Sequence, residues 1–131
     1  MVSILKIRNL VKEIMKSQGF EIENRPMPRI VYGNKNCYQP FYNKIIIIED
    51  YAIIHEIVHS LQPSKLFEKK YIHYRDNSKE YMNQACERQA YAIENFLNIN
   101  GKELHSTWNF LPKRPGRSTR LKINGMIRGI K

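Results

Sequence analysis

Apolar residues recur at helical intervals at the start of the chain. Val2, Leu5, Leu10, Val11, Ile14 and Met15 alternate with lysine and arginine, and the run closes at Gly19. That pattern predicts an amphipathic helix over residues 2–18, followed by a glycine suited to the left-handed position after a helix. The period then changes. Phe20 to Glu23 alternates apolar with polar, Arg25-Pro26-Met27-Pro28 interrupts it, and Ile30-Val31-Tyr32 resumes before the Gly33-Asn34 turn signal, so two short strands are expected. Asn36 to Asn43 contains Pro40 and reads as an edge strand or loop, whereas Lys44 to Ile48 is a β-branched run fit for a buried strand. Glu49-Asp50 supplies an N-cap and first-turn negative charge for a helix over Tyr51 to Leu61, which Pro63 stops. A third helix is predicted from Asn77 or Ser78 to about Leu97, with Trp108 and Phe110 closing the core. The expected fold class is α+β: a small, mostly antiparallel sheet packed on a central helix and two further helices.

The central helix carries the chemistry. Ile53, Ile54, Ile57, Val58 and Leu61 supply its packing surface, and Tyr51, His55, His59 and Gln62 share a narrow arc elsewhere on it. Within it His55-Glu56-Ile57-Val58-His59 has the form H-E-x-x-H. At about 100° per residue the two histidines lie one turn apart on one face and can reach a single zinc ion, while Glu56 stands beside them as a general base. A third ligand must come from elsewhere. The metzincin pattern is excluded, because Gln62 and Lys65 occupy the positions where it requires Gly and His. His73 and His105 are histidine candidates, and Glu80, Glu87 and Glu94 repeat every seven residues on one face of the third helix. Glu87 is favoured, because it is central and small Ala90 lets the helix approach closely; Glu80 and Glu94 read more plainly as solvated or capping residues.

The segment Asn43 to Gln62 resembles the active-site region of zincin-type peptidases, in which a strand and short turn lead into the H-E-x-x-H helix. Glu87-Arg88-Gln89-Ala90 is similar to the E-x-E-A element of small gluzincin-like peptidases of the ImmA/IrrE kind, with Gln89 replacing the second Glu. The resemblance covers roughly residues 30–97. It implies a minimal zincin-like metallopeptidase domain, assigned to residues 1–112, and a zinc ion held by His55, His59 and Glu87. The reaction it implies is hydrolysis of a protein or peptide substrate, with Glu56 as base. A donor for the developing oxyanion is sought among Tyr71, His73, Tyr74 and Tyr91, with His73 or Tyr74 favoured. An extended substrate could add to the sheet edge around Cys37 to Tyr42.

Charge adds a second feature. Seven of the ten net positive charges fall in residues 113–131, which contain no acidic residue, so this segment reads as a basic C-terminal tail able to meet nucleic acid or an anionic surface. Ile123, Met126, Ile127 and Ile130 interrupt the charge and suggest a short docked turn or strand rather than a wholly mobile arm. The longest purely apolar run, Ile45 to Ile48, cannot span a bilayer, and residues 1–10 lack the apolar core of a secretory signal, so a cytoplasmic location is expected. Cys37 and Cys86 are too few for a disulfide framework. Two alternatives stand beside the peptidase reading. One is a nucleic-acid-associated metalloprotease of the SprT type, with His73 as third ligand. The other is a non-enzymatic binding or structural protein on a zincin-like scaffold.

Overall fold

The first apolar stripe forms helix α1, Ile4–Ser17, in the computed structural model, which describes residues 3–68, 72–99 and 107–130. Leu10, Val11, Ile14 and Met15 are buried along one side of it. Gly19 ends the helix at φ +72°, where an L side chain would be strained, and the next two amides turn back to bond the last turn, Gly19 N to Lys16 O and Phe20 N to Met15 O. The Gln18 side chain then pairs with the backbone of Lys113, donating to its carbonyl at 2.6 Å and accepting from its amide at 2.7 Å.

Three strands follow: β1, Arg29–Tyr32; β2, Cys37–Gln39; and β3, Lys44–Ile47. Their spatial order is β1-β3-β2. β2 and β3 form an antiparallel hairpin through the turn Pro40–Tyr42, and β1 runs parallel to β3 on its other side. The sheet is therefore mixed rather than mostly antiparallel. The reason is topological, since β3 inserts between two strands that precede it and only one of these can be its hairpin partner. Phe20–Glu23 is not a strand. That segment runs past the end of the central helix, bonding Glu23 N to Leu61 O, and Pro26 and Pro28 lack the amide donors needed for a ladder. At the β1–β2 corner the chain passes close over β3, and a Cβ on Gly33 would lie 2.6 Å from Ile46 Cγ2.

Ile45 and Ile47 alternate inward from β3 onto the central helix α2, Ile53–Leu61. A 3₁₀ turn, Asp50–Ala52, leads into α2, and the position before the helix is Ala52 rather than an acidic cap. Asp50 instead accepts from the Tyr32 hydroxyl, so neither it nor Glu49 caps a helix amide. α3, Lys65–Glu68, is a single turn. The predicted third helix is two helices, α4, Ser78–Asn83, and α5, Ala85–Ile99. Gln84 separates them in an extended conformation while its side chain makes two hydrogen bonds to the backbone of Ile72, at 2.9 and 2.8 Å.

α5 lays Ala90, Ile93 and Phe96 against α2, and Trp108 closes that end, its ring centroid 4.6 Å from that of Phe96. Phe110 does not join it and is half exposed. Residues 117–130 form a full helix, α6, Arg117–Ile130, in place of the expected short turn or strand, because Ile123 and Ile127 share one stripe that is buried on the α1 side. The protein is thus α+β, and among the described residues no helix is long and apolar enough to cross a membrane.

The close passage at Gly33 has a measurable consequence. Gly33→Ala is expected to destabilise the fold by about 1–3 kcal/mol, because Ile46 sits in a packed strand and must move. Urea denaturation of the two proteins measures it, and an unchanged midpoint would contradict the packing described.

Candidate metal centre

α2 and α5 pack side by side, and their facing polar residues form one buried cluster. His55, Glu56 and His59 come from α2, and Glu87 faces them from the first turn of α5. The Glu87 carboxylate spans both histidines, with Oε2 3.1 Å from His55 Nε2 and Oε1 2.9 Å from His59 Nε2. One ligand atom from each of the three residues lies within 4.8 Å of the others. Tetrahedral zinc with bonds of about 2.0–2.2 Å separates its ligand atoms by roughly 3.4 Å, so small side-chain adjustments suffice to seat an ion among them. Two neutral imidazoles and one carboxylate are also the donor types that zinc accepts while leaving a position open.

The outer nitrogens of both rings are committed. His55 Nδ1 lies 2.7 Å from Glu94 Oε2, and His59 Nδ1 lies 2.8 Å from Gln62 Oε1. Gln62 is fully buried, and its amide nitrogen donates to Cys86 O at 2.9 Å and Gln89 Oε1 at 3.1 Å. Its oxygen therefore faces His59 and accepts from Nδ1–H, which makes Nε2 the nitrogen whose lone pair is free for a metal when the ring is neutral. Glu94 imposes the same tautomer on neutral His55. Arg25 holds the end of α2 in turn, donating to the carbonyls of Ser60 at 2.9 Å and Gln62 at 2.7 Å. Tyr91 packs edge-on against His55, and Phe67 against His59.

Electrostatics follow the same geometry. Burial alone would push the His55 imidazolium toward neutrality, but its hydrogen bonds to Glu87 and Glu94 and the charge of Glu56 outweigh it, and its pKa rises from 6.5 to about 10. Glu87 is also opposed by burial, yet bonds to both histidines hold its carboxyl well below the usual carboxylate range. Glu56 is raised, with burial as the leading cause, partly offset by His59 and His55.

The cluster opens on a cleft of about 550 Å³ lined by His55, Glu56, His59 and Glu87 together with His73 and Tyr74. A smaller recess of about 240 Å³ lies beside Glu56, toward Tyr51, Tyr91 and Glu94. Cys37 and Tyr38 bring edge strand β2 to the rim of the larger cleft. His73 and Tyr74 are exposed, and the Tyr74 ring meets that of Tyr81 edge to face at a centroid distance of 5.6 Å. Glu80 is exposed on α4, because the break at Gln84 takes it off the face shared by Glu87 and Glu94. Tyr71 and His105 lie outside the described residues. Nothing in the sequence spacing of Arg25 points to its hold on the end of α2, nor in that of Tyr81 to its place at the cleft.

No protein-family model, no curated protein and no solved structure matches the chain.

In the metal-free protein His55 gains its proton on folding and Glu87 loses its own more readily. The stability supplied by the raised His55 is complete below pH 6.5 and is lost as pH rises toward 10, while that supplied by the depressed Glu87 is complete above pH 4.5 and is lost in acid. Metal-free protein should therefore melt at its highest temperature between these limits. A ligand nitrogen must be unprotonated, so zinc addition at pH 8 should release about one proton per ion, measurable by calorimetry in buffers of different ionisation enthalpy. Binding without proton release would contradict the assignment of His55.

Proposed function

We propose that the chain is a zinc-dependent peptidase of minimal zincin-like, gluzincin-like type. The observation that carries this reading is the convergence of two imidazole Nε2 atoms on one buried carboxylate, with a second buried carboxylate, Glu56, beside them at the wall of an open cleft. The resemblance of Asn43–Gln62 to zincin active-site regions adds to it. His55, His59 and Glu87 would hold a single zinc ion, which when bound lowers the pKa of a water and polarises a substrate carbonyl.

The chain's own groups do the rest. Glu56 has a pKa raised chiefly by burial, so its carboxylate is a stronger base than a solvated one, and it takes a proton from the attacking water. The water oxygen bonds to the carbonyl carbon, the C–N bond breaks, and Glu56 returns the proton to the departing amine. His73 and Tyr74 line the same cleft and are the candidate donors to the carbonyl oxygen as negative charge develops there. β2 is an edge strand among the described residues and its Cys37 and Tyr38 line the cleft, so an extended protein or peptide segment laid along it would gain backbone hydrogen bonds.

Metal analysis and peptide cleavage together test the assignment. Wild type should bind one zinc ion, His55→Ala and Glu87→Ala should lose it, and His73→Ala should keep it. Glu56→Gln should retain zinc and fold while cleavage of a mixture of unstructured peptides, read by mass spectrometry, falls about 10²–10⁴-fold. Zinc lost with His73→Ala but kept with Glu87→Ala would overturn the ligand set, and full activity in Glu56→Gln would overturn the mechanism.

A further inference from the structure

Helix α6 has two unlike sides. Ile123 and Ile127 are buried on the α1 side, with Met126 and Ile130 partly covered beside them. Turning about 100° per residue, Arg117, Leu121 and Arg128 fall within about 40° of one another on the outside, Ser118, Gly125 and Gly129 form the adjoining strip, and Lys122 borders it. All seven are exposed. Lys122 is 3.2 Å from Glu13 of α1, but Arg117 and Arg128 have no acidic partner among the described residues, and Lys113 and Arg114 lead into the helix with none.

Two features of this helix are unfavourable for the chain by itself. Its first turn carries Arg117 and Arg120 and no acidic residue, although the positive end of a helix favours acidic ones. Gly125 and Gly129 lie inside it, where glycine is less favourable than alanine, and a Cβ on either would meet nothing. Both features suit an anion brought close along the outer face. We propose that the outer face of α6, with Arg114 at its entrance, docks the phosphate backbone of duplex nucleic acid.

Charge decides against the other occupants. A second copy would set arginine rows against each other. A membrane helix needs its apolar side free to enter lipid, and that side of α6 is buried on α1, leaving only Leu121 outside. A polyphosphate backbone needs neither. Arg117 and Arg128 stand about 16 Å apart along the axis, a rigid row that can meet several phosphates and reads no bases. α6 packs on α1, and α1 in turn on α2, so this surface lies a helix layer away from the cleft and is independent of the reading proposed for it.

The probe is a labelled duplex of about 20 base pairs, as DNA and as RNA, titrated by fluorescence anisotropy between 50 and 200 mM salt. About four phosphate contacts predict a log–log slope near −3.6, with no base-sequence preference. Arg117→Glu/Arg128→Glu should weaken binding at least about ten-fold while circular dichroism and the melting transition show the fold retained. Gly125→Ala/Gly129→Ala should melt higher and bind a few-fold more weakly, because added methyl groups hold the backbone away. Binding to DNA alone or RNA alone identifies the source of the phosphates. Absent or salt-insensitive duplex binding would overturn the proposal. So would equal binding by the arginine variant, self-association through α6 in sedimentation, or binding only to phosphatidylserine vesicles.

Discussion

A carboxylate held between two imidazoles inside a protein is costly unless every charge and lone pair has a partner, and the α2–α5 interface is arranged around that demand. Glu87 is almost wholly buried, and each of its oxygens faces one histidine. Each histidine is in turn anchored through its other nitrogen, to Glu94 or to Gln62. Removing one member leaves the next uncompensated, which is why the cluster behaves as a unit rather than as separate pairs. The raised His55 and depressed Glu87 describe how a proton satisfies this cluster in the absence of metal, and a divalent cation would satisfy the same atoms with more charge.

The fold provides this cluster with a rigid frame. Apolar Ile57, Val58 and Leu61 fix α2 within the core while its polar residues turn toward α5. Ala90, fully buried one turn beyond Glu87, adds little bulk at the contact between these helices. Arg25 caps the end of α2 through two carbonyls, one of them that of Gln62, so the segment after α1 supports the residue that orients His59. The break at Gln84 separates α5 from α4 and lets the Glu87 face turn inward while Glu80 stays in solvent. Two neutral contacts, Tyr91 on His55 and Phe67 on His59, limit the motion of the rings.

Much of this arrangement was legible in the sequence, for identifiable reasons. Helical periodicity locates α1 and α2, and H-E-x-x-H requires its two histidines to share a face whatever surrounds them. The seven-residue repeat of Glu87 and Glu94 places both toward α2, but it cannot distinguish a residue that faces both rings from one that backs a single ring, because that depends on helix separation. Strand order was not legible, since a hairpin pattern does not reveal that β3 also pairs in parallel with β1. The break at Gln84 depends on its side chain reaching the backbone of Ile72, and the anchoring by Arg25 depends on a contact across 35 residues to Ser60. No local pattern encodes either one. The basic segment was visible as composition, and its helical form depended on an apolar stripe finding α1.

X-ray absorption at the zinc edge of the zinc-loaded protein counts the imidazole and oxygen ligands around the ion, and so decides whether His55, His59 and Glu87 hold it. Two imidazole nitrogens and at least one carboxylate oxygen at about 2.0–2.2 Å are the predicted shell. A shell of three imidazoles, or one containing sulfur, would contradict it.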